Sequence, residues 1–246
     1  MILLSKITGT LSVYKFILKY SKLRDFFYSI LLLKKIIYST SLIKRLNFSP
    51  IKVKFKNKYK FIYNDWFSKN IPIWNFIFNK ENIYYKKINY LEIGSFEGRS
   101  TLFIAENIKN AYINIVDPFL NYDELANIDS KLTFTTFLRN IIYFKHKIKI
   151  NKTTSDIFFN KNKKKFDLIY VDGAHDKKSV KKDAINSFKY LNNNGIIIFD
   201  DFLWSGYNKK LFNNPINALL PFLRNNHSKI EILYINYQLI IKKKFK

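Results

Sequence analysis

From about residue 88 onward, short apolar runs alternate with segments of helical periodicity. The apolar runs predict strands over Ile88–Ile93, Ala111–Val116, Lys147–Ile150, Asp167–Val171 and Ile196–Phe199. Helical spacing predicts helices over Ser100–Ile108, Ser130–Tyr143, Val180–Leu191 and Asn217–Leu223. This alternation is typical of a doubly wound, mostly parallel α/β sheet. Two adjacent strand-like runs near the end, Lys229–Ile235 and Gln238–Lys243, predict an antiparallel edge on that sheet.

The first 48 residues interleave basic and apolar side chains. Apolar residues recur near a period of 3.6 at Leu11, Tyr14, Leu18, Phe26, Ile30, Leu33 and Ile37. This predicts a helical extension over residues 1–48, ahead of a main domain over residues 49–246. We expect the extension to pack on the main domain, and a helix on a membrane surface is the alternative. Lys34 and Lys35 interrupt the longest apolar run, so no transmembrane helix is expected.

Composition narrows the class of protein. Of 246 residues, 48% are hydrophobic and 18% aromatic, which predicts a large folded core. The absence of cysteine excludes disulfides and thiolate metal sites. The net charge of +25 comes from 43 basic residues, but only five of them are arginine, the better residue for bidentate phosphate contacts. We therefore interpret the charge as a compositional bias, with a basic face for an anionic membrane or an acidic partner as the alternative.

The stretch LEIGSFEGRS places an acid, Glu92, inside a strand that we expect to be buried. A buried carboxylate is costly unless it is paired or hydrogen-bonded. Gly94 and Gly98 follow, and then a helix begins, which is the place where ligands bind in open α/β sheets. Phe96 occupies the middle glycine position of the dinucleotide fingerprint, and no Gly-Lys-Ser/Thr follows, so neither phosphate-binding loop is present. An acid here suits a ligand that carries an ammonium group.

Asp117 ends the next predicted strand along the chain after Glu92. An acid at this place can accept hydrogen bonds from ribose hydroxyls. S-Adenosylmethionine has both a cationic end and a ribose, so it satisfies both acids. The alternative is that Glu92 is a helix cap or a hydrogen-bonded core acid, and that Asp117 begins a turn with Pro118.

A second group of acids follows two later strands. Asp172 and His175 come after one predicted strand, and Asp200 and Asp201 come after the next. The interval from Asp172 to Asp200 fits one crossover helix, so these strands should lie side by side. Three carboxylates at one sheet edge suit Mg²⁺, which lowers the pKa of a bound substrate hydroxyl. His175 is then a candidate general base. The alternative is solvated strand-end acids and a histidine that caps the following helix.

Several segments resemble one family. LEIGSFEGRST resembles motif I of class I S-adenosylmethionine-dependent methyltransferases, and its trailing Gly-Arg-Ser resembles methyltransferase family 24, with the catechol and sugar O-methyltransferases as more distant relatives. FDLIYVDGAHDKKSVKKDA and NNGIIIFDDFLW resemble the fourth- and fifth-strand motifs of that branch, and DWFS resembles its lead-in. The tail from Pro215 onward is similar too, so the resemblance covers about residues 60 to 243. It implies a Rossmann-like methyltransferase fold.

The resemblance also implies roles for individual residues. The cofactor-binding positions are Glu92, Gly94, Ser95, Gly98, Ser100, Asp117, Ser155 and Asp172, with Asp117 on the ribose and Ser155 near the adenine. The Mg²⁺ positions are Asp172, Asp200 and Asp201, and the catalytic residues are His175 and Asp172. Two positions depart from the family pattern. Thr154 stands where relatives often have an acid for the adenine amine, and His175 replaces the lysine base of catechol-type enzymes.

Together these observations predict an S-adenosylmethionine-dependent O-methyltransferase that acts on a sugar, a glycan or a small metabolite in the cytoplasm, with Mg²⁺ as a second cofactor. The alternatives are an N- or C-methyltransferase, a hydroxylase-like iron enzyme, or a non-catalytic binding protein that contacts a membrane through residues 1–48. Nucleic acid is not an expected partner. Acceptor contacts are expected from the N-terminal segment and from residues 120–130, whose sequences do not identify the acceptor.

Overall fold

The computed structural model describes residues 9–46, 59–120, 128–206 and 213–245. The helices in these ranges are α1 (Thr10–Tyr20), α2 (Leu23–Arg45), α3 (Ile71–Lys80), α4 (Arg99–Asn107), α5 (Ser130–Ile141), α6 (Ser155–Lys161), α7 (Lys177–Tyr190) and α8 (Ile216–Asn226). The strands are β1 (Ile88–Ile93), β2 (Ala111–Val116), β3 (Ile148–Asn151), β4 (Phe166–Val171), β5 (Leu191–Phe199), β6 (Ile230–Ile235) and β7 (Leu239–Lys243).

The chain divides into two compact units. The glycine-turn unit, Phe48–Lys163, holds three parallel strands in the order β3-β2-β1. The carboxylate unit, Met1–Asn47 with Lys164–Lys246, holds β4-β5-β7-β6. There β4 and β5 are parallel, whereas β7 runs antiparallel to both β5 and β6. This confirms the predicted mixed, mostly parallel sheet with antiparallel C-terminal strands. The division into residues 1–48 and 49–246 stays a prediction.

Element boundaries follow the apolar pattern where that pattern is clean. β1 and β2 begin and end at the predicted residues, because each is buried at five of its six positions. β5 begins at Leu191, ahead of the predicted start at Ile196, because Asn192–Asn194 gave no apolar signal. α3 was not predicted, because it is apolar on nearly all sides and so lacks a helical period.

The N-terminal helices belong to the carboxylate unit and pack on its later elements, as expected for an extension that packs on the main domain. α1 and α2 both contact α8, and α2 also contacts β6. The apolar residues that α2 buries are Leu32, Ile36 and Leu42, whereas Phe26, Ile30 and Ile37 of the predicted stripe are exposed. α2 therefore packs through apolar residues other than most of those in the predicted stripe.

One helical stretch within the described ranges, Asp25–Arg45, has the length and the mean hydropathy, 1.4, of a membrane-spanning helix. Of the 18-residue window that meets the criterion, 33% is buried in the fold. Length and composition alone satisfy this criterion, and helices of water-soluble proteins also meet it. The expectation that no helix spans a membrane stays a prediction.

Candidate functional site: a glycine turn and a carboxylate cluster

Glu92 lies near the end of β1 and is fully buried. Its Oε2 accepts hydrogen bonds from Thr101 Oγ1 at 2.9 Å and from the Tyr90 hydroxyl at 3.0 Å. Its Oε1 accepts a hydrogen bond from Ser100 Oγ. Tyr90 is available because residues two apart in a strand share a face. The three hydroxyls satisfy the carboxylate and join β1 to the first turn of α4.

Burial raises the pKa of Glu92 from 4.5 to about 7. The hydroxyls of Ser100, Thr101 and Tyr90 oppose that rise, because they stabilise the charged form, whereas the charge of Asp117 adds to it. Near neutral pH, both protonation states of Glu92 are therefore populated. This is the hydrogen-bonded core acid of the alternative interpretation, and a role toward an ammonium group stays a prediction.

Two glycines shape the turn between β1 and α4. Gly94 has a φ of 82° and Gly98 a φ of 88°, in the left-handed region that side chains disfavour. A Cβ on Gly98 would also lie 3.0 Å from Phe137 Cδ2. Between the glycines, Phe96 adopts a φ of 50°, and its ring stacks on Trp66 with centroids 5.2 Å apart. Both predicted glycines are therefore required by the backbone.

Asp117, at the end of β2, holds this turn from the neighbouring strand. Its Oδ2 accepts hydrogen bonds from Ser95 N at 2.8 Å, Phe96 N at 3.2 Å and Ser95 Oγ at 3.3 Å. Its Oδ1 accepts one from Phe119 N at 2.7 Å. A carboxylate oxygen has two lone pairs, so Oδ1 retains capacity for a further donor such as a ribose hydroxyl. Asp117 is both the anchor of the turn and a chemically suitable ribose acceptor.

Ser155 begins α6, directly after β3 and its connecting turn. Val116 pairs with Asn151, so β2 and β3 end together at the same edge. Thr154 caps α6 by accepting a hydrogen bond from Ile157 N at 3.4 Å. The predicted cofactor residues of this unit thus lie at the carboxyl ends of three adjacent strands; they are Glu92, Gly94, Ser95, Gly98, Ser100, Asp117 and Ser155.

The lead-in segment, residues 59–68, is fixed to the glycine turn by a residue that the sequence did not single out. Glu97 is fully buried, and its carboxylate accepts hydrogen bonds from Ile62 N at 2.7 Å and Tyr63 N at 3.1 Å. Arg99 also donates from its guanidinium to the Tyr63 carbonyl at 3.1 Å. No local pattern could have revealed Glu97, because its partners come from a distant, earlier part of the chain.

In the carboxylate unit, the register Val171↔Phe199 brings the ends of β4 and β5 together. Three of the predicted residues converge after these strands. His175 Nε2 lies 2.7 Å from Asp201 Oδ2 and 4.0 Å from Asp172 Oδ1. One ligand atom from each of the three lies within 4.8 Å of the others, a grouping that can hold a metal ion. We call Asp172, His175 and Asp201 the carboxylate–histidine cluster.

Asp200 lies beside this cluster, but its oxygens are used by protein donors. Oδ2 accepts hydrogen bonds from Gln238 Nε2 at 3.0 Å and from the Tyr170 hydroxyl, and Oδ1 accepts one from Asp201 N at 2.8 Å. The predicted metal role of Asp200 therefore stays a prediction, and the grouping that can hold a metal ion contains His175 beside Asp172 and Asp201.

Residues 91–202 match the family model described as "Methyltransferase domain". These residues are a methyltransferase domain of the class I, S-adenosylmethionine-dependent kind. The predicted resemblance to methyltransferase family 24 is confirmed.

Two comparisons extend beyond the methyltransferase domain. The chain is similar to the MycE methyltransferase of the mycinamycin biosynthetic pathway, solved in complex with Mg, S-adenosylhomocysteine and mycinamycin VI. The two share 15% sequence identity and superpose with a TM-score of 0.54, over 83% of this chain and 54% of MycE. It is also 26% identical over 148 residues to an uncharacterised protein of Acanthamoeba polyphaga mimivirus, covering 59% of this chain and 66% of the viral protein. The chain thus spans about half the length of MycE. At this identity, the likeness to MycE shows the fold alone.

Two tyrosines of the methyltransferase fold complete the surroundings of the carboxylates. The Tyr170 hydroxyl contacts Asp172 Oδ2 at 2.9 Å, and the Tyr237 hydroxyl donates to Asp201 Oδ1. Burial raises the pKa of both tyrosines and the nearby carboxylates raise it further, so both remain donors. Strand alternation could have revealed Tyr170, two residues before Asp172. Nothing in the sequence signalled Tyr237, which comes from the turn between β6 and β7.

Burial also raises the pKa of Asp172 well above its ordinary value, and the charges of Asp200 and Asp201 add to the rise. His175 and the Tyr170 hydroxyl oppose it. Like charges held this close favour binding of a cation or a proton. The cluster therefore has the electrostatic character of a site for a positively charged species.

Proposed function

We propose that this methyltransferase domain transfers the methyl group of S-adenosylmethionine to a hydroxyl group of a sugar, a glycan or a small metabolite in the cytoplasm, with help from a divalent cation such as Mg²⁺. The observation that carries the proposal is the carboxylate–histidine cluster, in which Asp172, His175 and Asp201 converge. Nucleic acid is not the proposed acceptor, because the basic charge is mostly lysine.

The cofactor would be held by the glycine turn and its neighbours. We assign the methionine part to the turn of Gly94, Ser95 and Gly98, behind which Glu92 and Ser100 are hydrogen-bonded to each other. Asp117 Oδ1 would receive a ribose hydroxyl, and Ser155 would lie near the adenine. Asp172 is included in the cofactor contacts by the family resemblance. The bound cofactor supplies an electrophilic methyl group on a sulfonium.

The cluster has the donor set for a hard divalent cation. The two carboxylates are suitable oxygen ligands for Mg²⁺ or Mn²⁺, and water or acceptor oxygens can complete the coordination. Asp172 and Asp201 would hold the cation. When bound, the cation lowers the pKa of an acceptor hydroxyl. MycE was solved with Mg, which supports this assignment by analogy of fold.

His175 is proposed as the general base. Its Nε2 lies 2.7 Å from Asp201 Oδ2, and its ring packs on Trp204 with centroids 4.9 Å apart. A carboxylate and a packed aromatic ring fix the imidazole in one orientation, as a proton acceptor requires. At this distance Nε2 donates a hydrogen bond to the carboxylate of Asp201, so Nδ1 is the ring nitrogen that would accept the proton of the acceptor hydroxyl. If a cation took the place of the Nε2 proton, His175 would instead be a third metal ligand.

Calorimetric titration with S-adenosylhomocysteine, with and without Mg²⁺, tests the cofactor assignment. We expect micromolar binding by the whole chain, weakened at least tenfold in Asp117→Asn and unchanged in Glu231→Gln, a matched loss of one exposed carboxylate. Absence of binding by the unmodified chain under both conditions would overturn the proposal.

Titration with Mn²⁺, followed by electron paramagnetic resonance, separates the roles within the cluster. Asp172→Asn should weaken Mn²⁺ binding at least tenfold. His175→Gln should leave Mn²⁺ binding within a factor of three, while methyl transfer to a panel of sugar and small-molecule hydroxyl acceptors falls by about 10² or more. If His175→Gln loses Mn²⁺ as fully as Asp172→Asn does, then His175 is a ligand. Transfer that persists in both variants would refute the catalytic assignment.

A further inference from the structure

The outward side of α2 is apolar. We define its outer face as Leu23, Phe26, Phe27, Ile30, Leu31, Ile37 and Tyr38, whose exposed fractions run from 37% to 79%. From Leu23 to Leu31 these positions recur at three- and four-residue spacing, and Ile37 and Tyr38 lie two helical turns beyond Ile30 and Leu31, so all of them share one side of the helix. Lys34 lies on the same side, between the two groups. Single exposed apolar residues are ordinary, but this many on one helix side are not. Such a patch indicates a surface for binding.

The opposite side of α2, which packs on the fold, is mixed in polarity. Its buried residues are Leu32, Ile36 and Leu42 together with Asp25, Ser29, Ser39 and Thr40. α2 is therefore apolar on two sides, and its rotation about its own axis leaves one of them exposed. An apolar environment on the outer face would bury the side that the fold does not cover.

Two polar contacts fix this rotation. Asp25 Oδ1 pairs with Arg224 Nη1 of α8 at 2.6 Å. Toward the other end of the helix, Ser39 Oγ accepts a hydrogen bond from Ile235 N of β6 at 3.0 Å. Because one contact lies in the first turn of α2 and the other in its C-terminal half, they hold the helix against the carboxylate unit along much of its length. The outer face therefore cannot turn inward without breaking both.

The charges on α2 identify the chemistry of the occupant. Lys34, Lys35, Lys44 and Arg45 are exposed, and the single acid of the helix, Asp25, is buried. Because Lys34 lies among the apolar side chains of the outer face, a matching surface must offer apolar groups and, within reach of a long lysine side chain, anionic groups. A second copy of this face fits poorly, because a twofold interface would bring lysines against lysines.

We propose that α2 lies flat on an anionic lipid bilayer, with its outer face inserted about 5–10 Å into the headgroup region and its lysines among the lipid phosphates. The helix of 23 residues is about 35 Å long, so it would present an extended contact to the bilayer. The contacts of Asp25 and Ser39 favour this surface orientation, because a helix that crossed the bilayer would have to leave α8 and β6.

Co-sedimentation of the full chain with vesicles tests the proposal. The vesicles are phosphatidylcholine alone, or phosphatidylcholine mixed with phosphatidylglycerol as the minor, anionic component. We expect binding to the anionic vesicles only. The partition coefficient should fall at least tenfold in Phe27→Gln/Leu31→Gln and about 30-fold in Lys34→Gln/Lys35→Gln. Matched controls are Ile142→Gln/Ile185→Gln, which removes two apolar residues exposed by 54% and 51% elsewhere, and Lys161→Gln/Lys163→Gln. Both controls should bind as the unmodified chain does.

Every other pattern overturns the proposal. No binding of the unmodified chain refutes it directly. Equal losses in the α2 variants and their controls would assign binding to overall basicity. Protein that resists extraction by high salt and alkaline carbonate would indicate a spanning helix. Sedimentation velocity without lipid measures self-association. If the chain self-associates and Phe27→Gln/Leu31→Gln abolishes this, the outer face binds a second copy of the chain. Circular dichroism of each variant checks that the fold is intact.

Discussion

Replacing Glu92 by glutamine should change the pH dependence of stability more than stability itself. Glutamine has the size and neutrality of protonated glutamic acid, and its amide can exchange hydrogen bonds with the hydroxyls of Ser100, Thr101 and Tyr90, which reorient freely. The variant therefore imitates the neutral state of Glu92 at every pH. The difference between the two proteins reports the cost of the buried charge.

The size and sign of the effect follow from the pKa of Glu92. Its folded-state pKa is about 7, whereas the ordinary value is 4.5. Between these values the folded protein retains a proton that the unfolded chain has released, so the free energy of unfolding falls as the pH rises. The fall amounts to about 3 kcal/mol and is complete above pH 7 to 8. Below pH 4.5, both states bind the proton and the penalty vanishes.

Urea denaturation followed by tryptophan fluorescence at pH 5, 6, 7 and 8 measures the difference. We expect the unmodified chain to lose about 2.5 kcal/mol relative to Glu92→Gln over this range, because part of the full effect has already developed below pH 5. Glu231→Gln, which removes an exposed carboxylate from β6, should show no such trend relative to the unmodified chain.

A difference between the unmodified chain and Glu92→Gln that stays within about 0.5 kcal/mol from pH 5 to pH 8 would refute the reasoning. It would mean that the three hydroxyls fully offset the burial of the charge. A difference of the opposite sign, with the unmodified chain gaining stability as the pH rises, would mean that the fold stabilises the ionised form.

Two further substitutions test other parts of the site. Gly98→Ala should lower the free energy of unfolding in urea by about 2–3 kcal/mol, because Gly98 has a φ of 88° and the added Cβ would lie 3.0 Å from Phe137. Gly9→Ala is the control, since its Cβ would lie 4.0 Å from the nearest atom, and it should change that free energy by less than about 1 kcal/mol. Tyr237→Phe removes the hydroxyl that donates to Asp201, so Mn²⁺ affinity or the methyl-transfer rate should fall about tenfold in the assays described above. If neither the affinity nor the rate changes, this hydrogen bond does not position the carboxylate.

Much of the fold could be predicted because strand ends in this chain carry sharp signals. β1 and β2 stop where a glycine or an acid follows an apolar run, so their limits were correct. α6 was missed because Ser155–Lys161 is too short for a helical period to emerge. The orientation of α2 could not be predicted, because it depends on Asp25 and Ser39 finding partners near the other end of the chain.

Part of the candidate site could likewise be predicted from the sequence, and part could not. The convergence of Asp172 and Asp201 follows from parallel strands joined by one helix, which is a topological rule. The different surroundings of Asp200 do not follow from that rule. Asp201 has a φ of 54°, which turns the chain after β5, and Gln238 reaches Asp200 from the final hairpin. Contacts of this kind depend on tertiary packing that no local pattern encodes.

The buried Glu97 carboxylate has a consequence for where the methyltransferase domain can be cut. The recognisable sequence begins at residue 91, yet both oxygens of Glu97 depend on amides of residues 62 and 63. A fragment trimmed to the recognisable part would leave this carboxylate without those donors beside the glycine turn, at a cost of several kcal/mol. The boundary of the family pattern is therefore not the boundary of autonomous folding, and any transplant of this catalytic segment must include the residues that precede it.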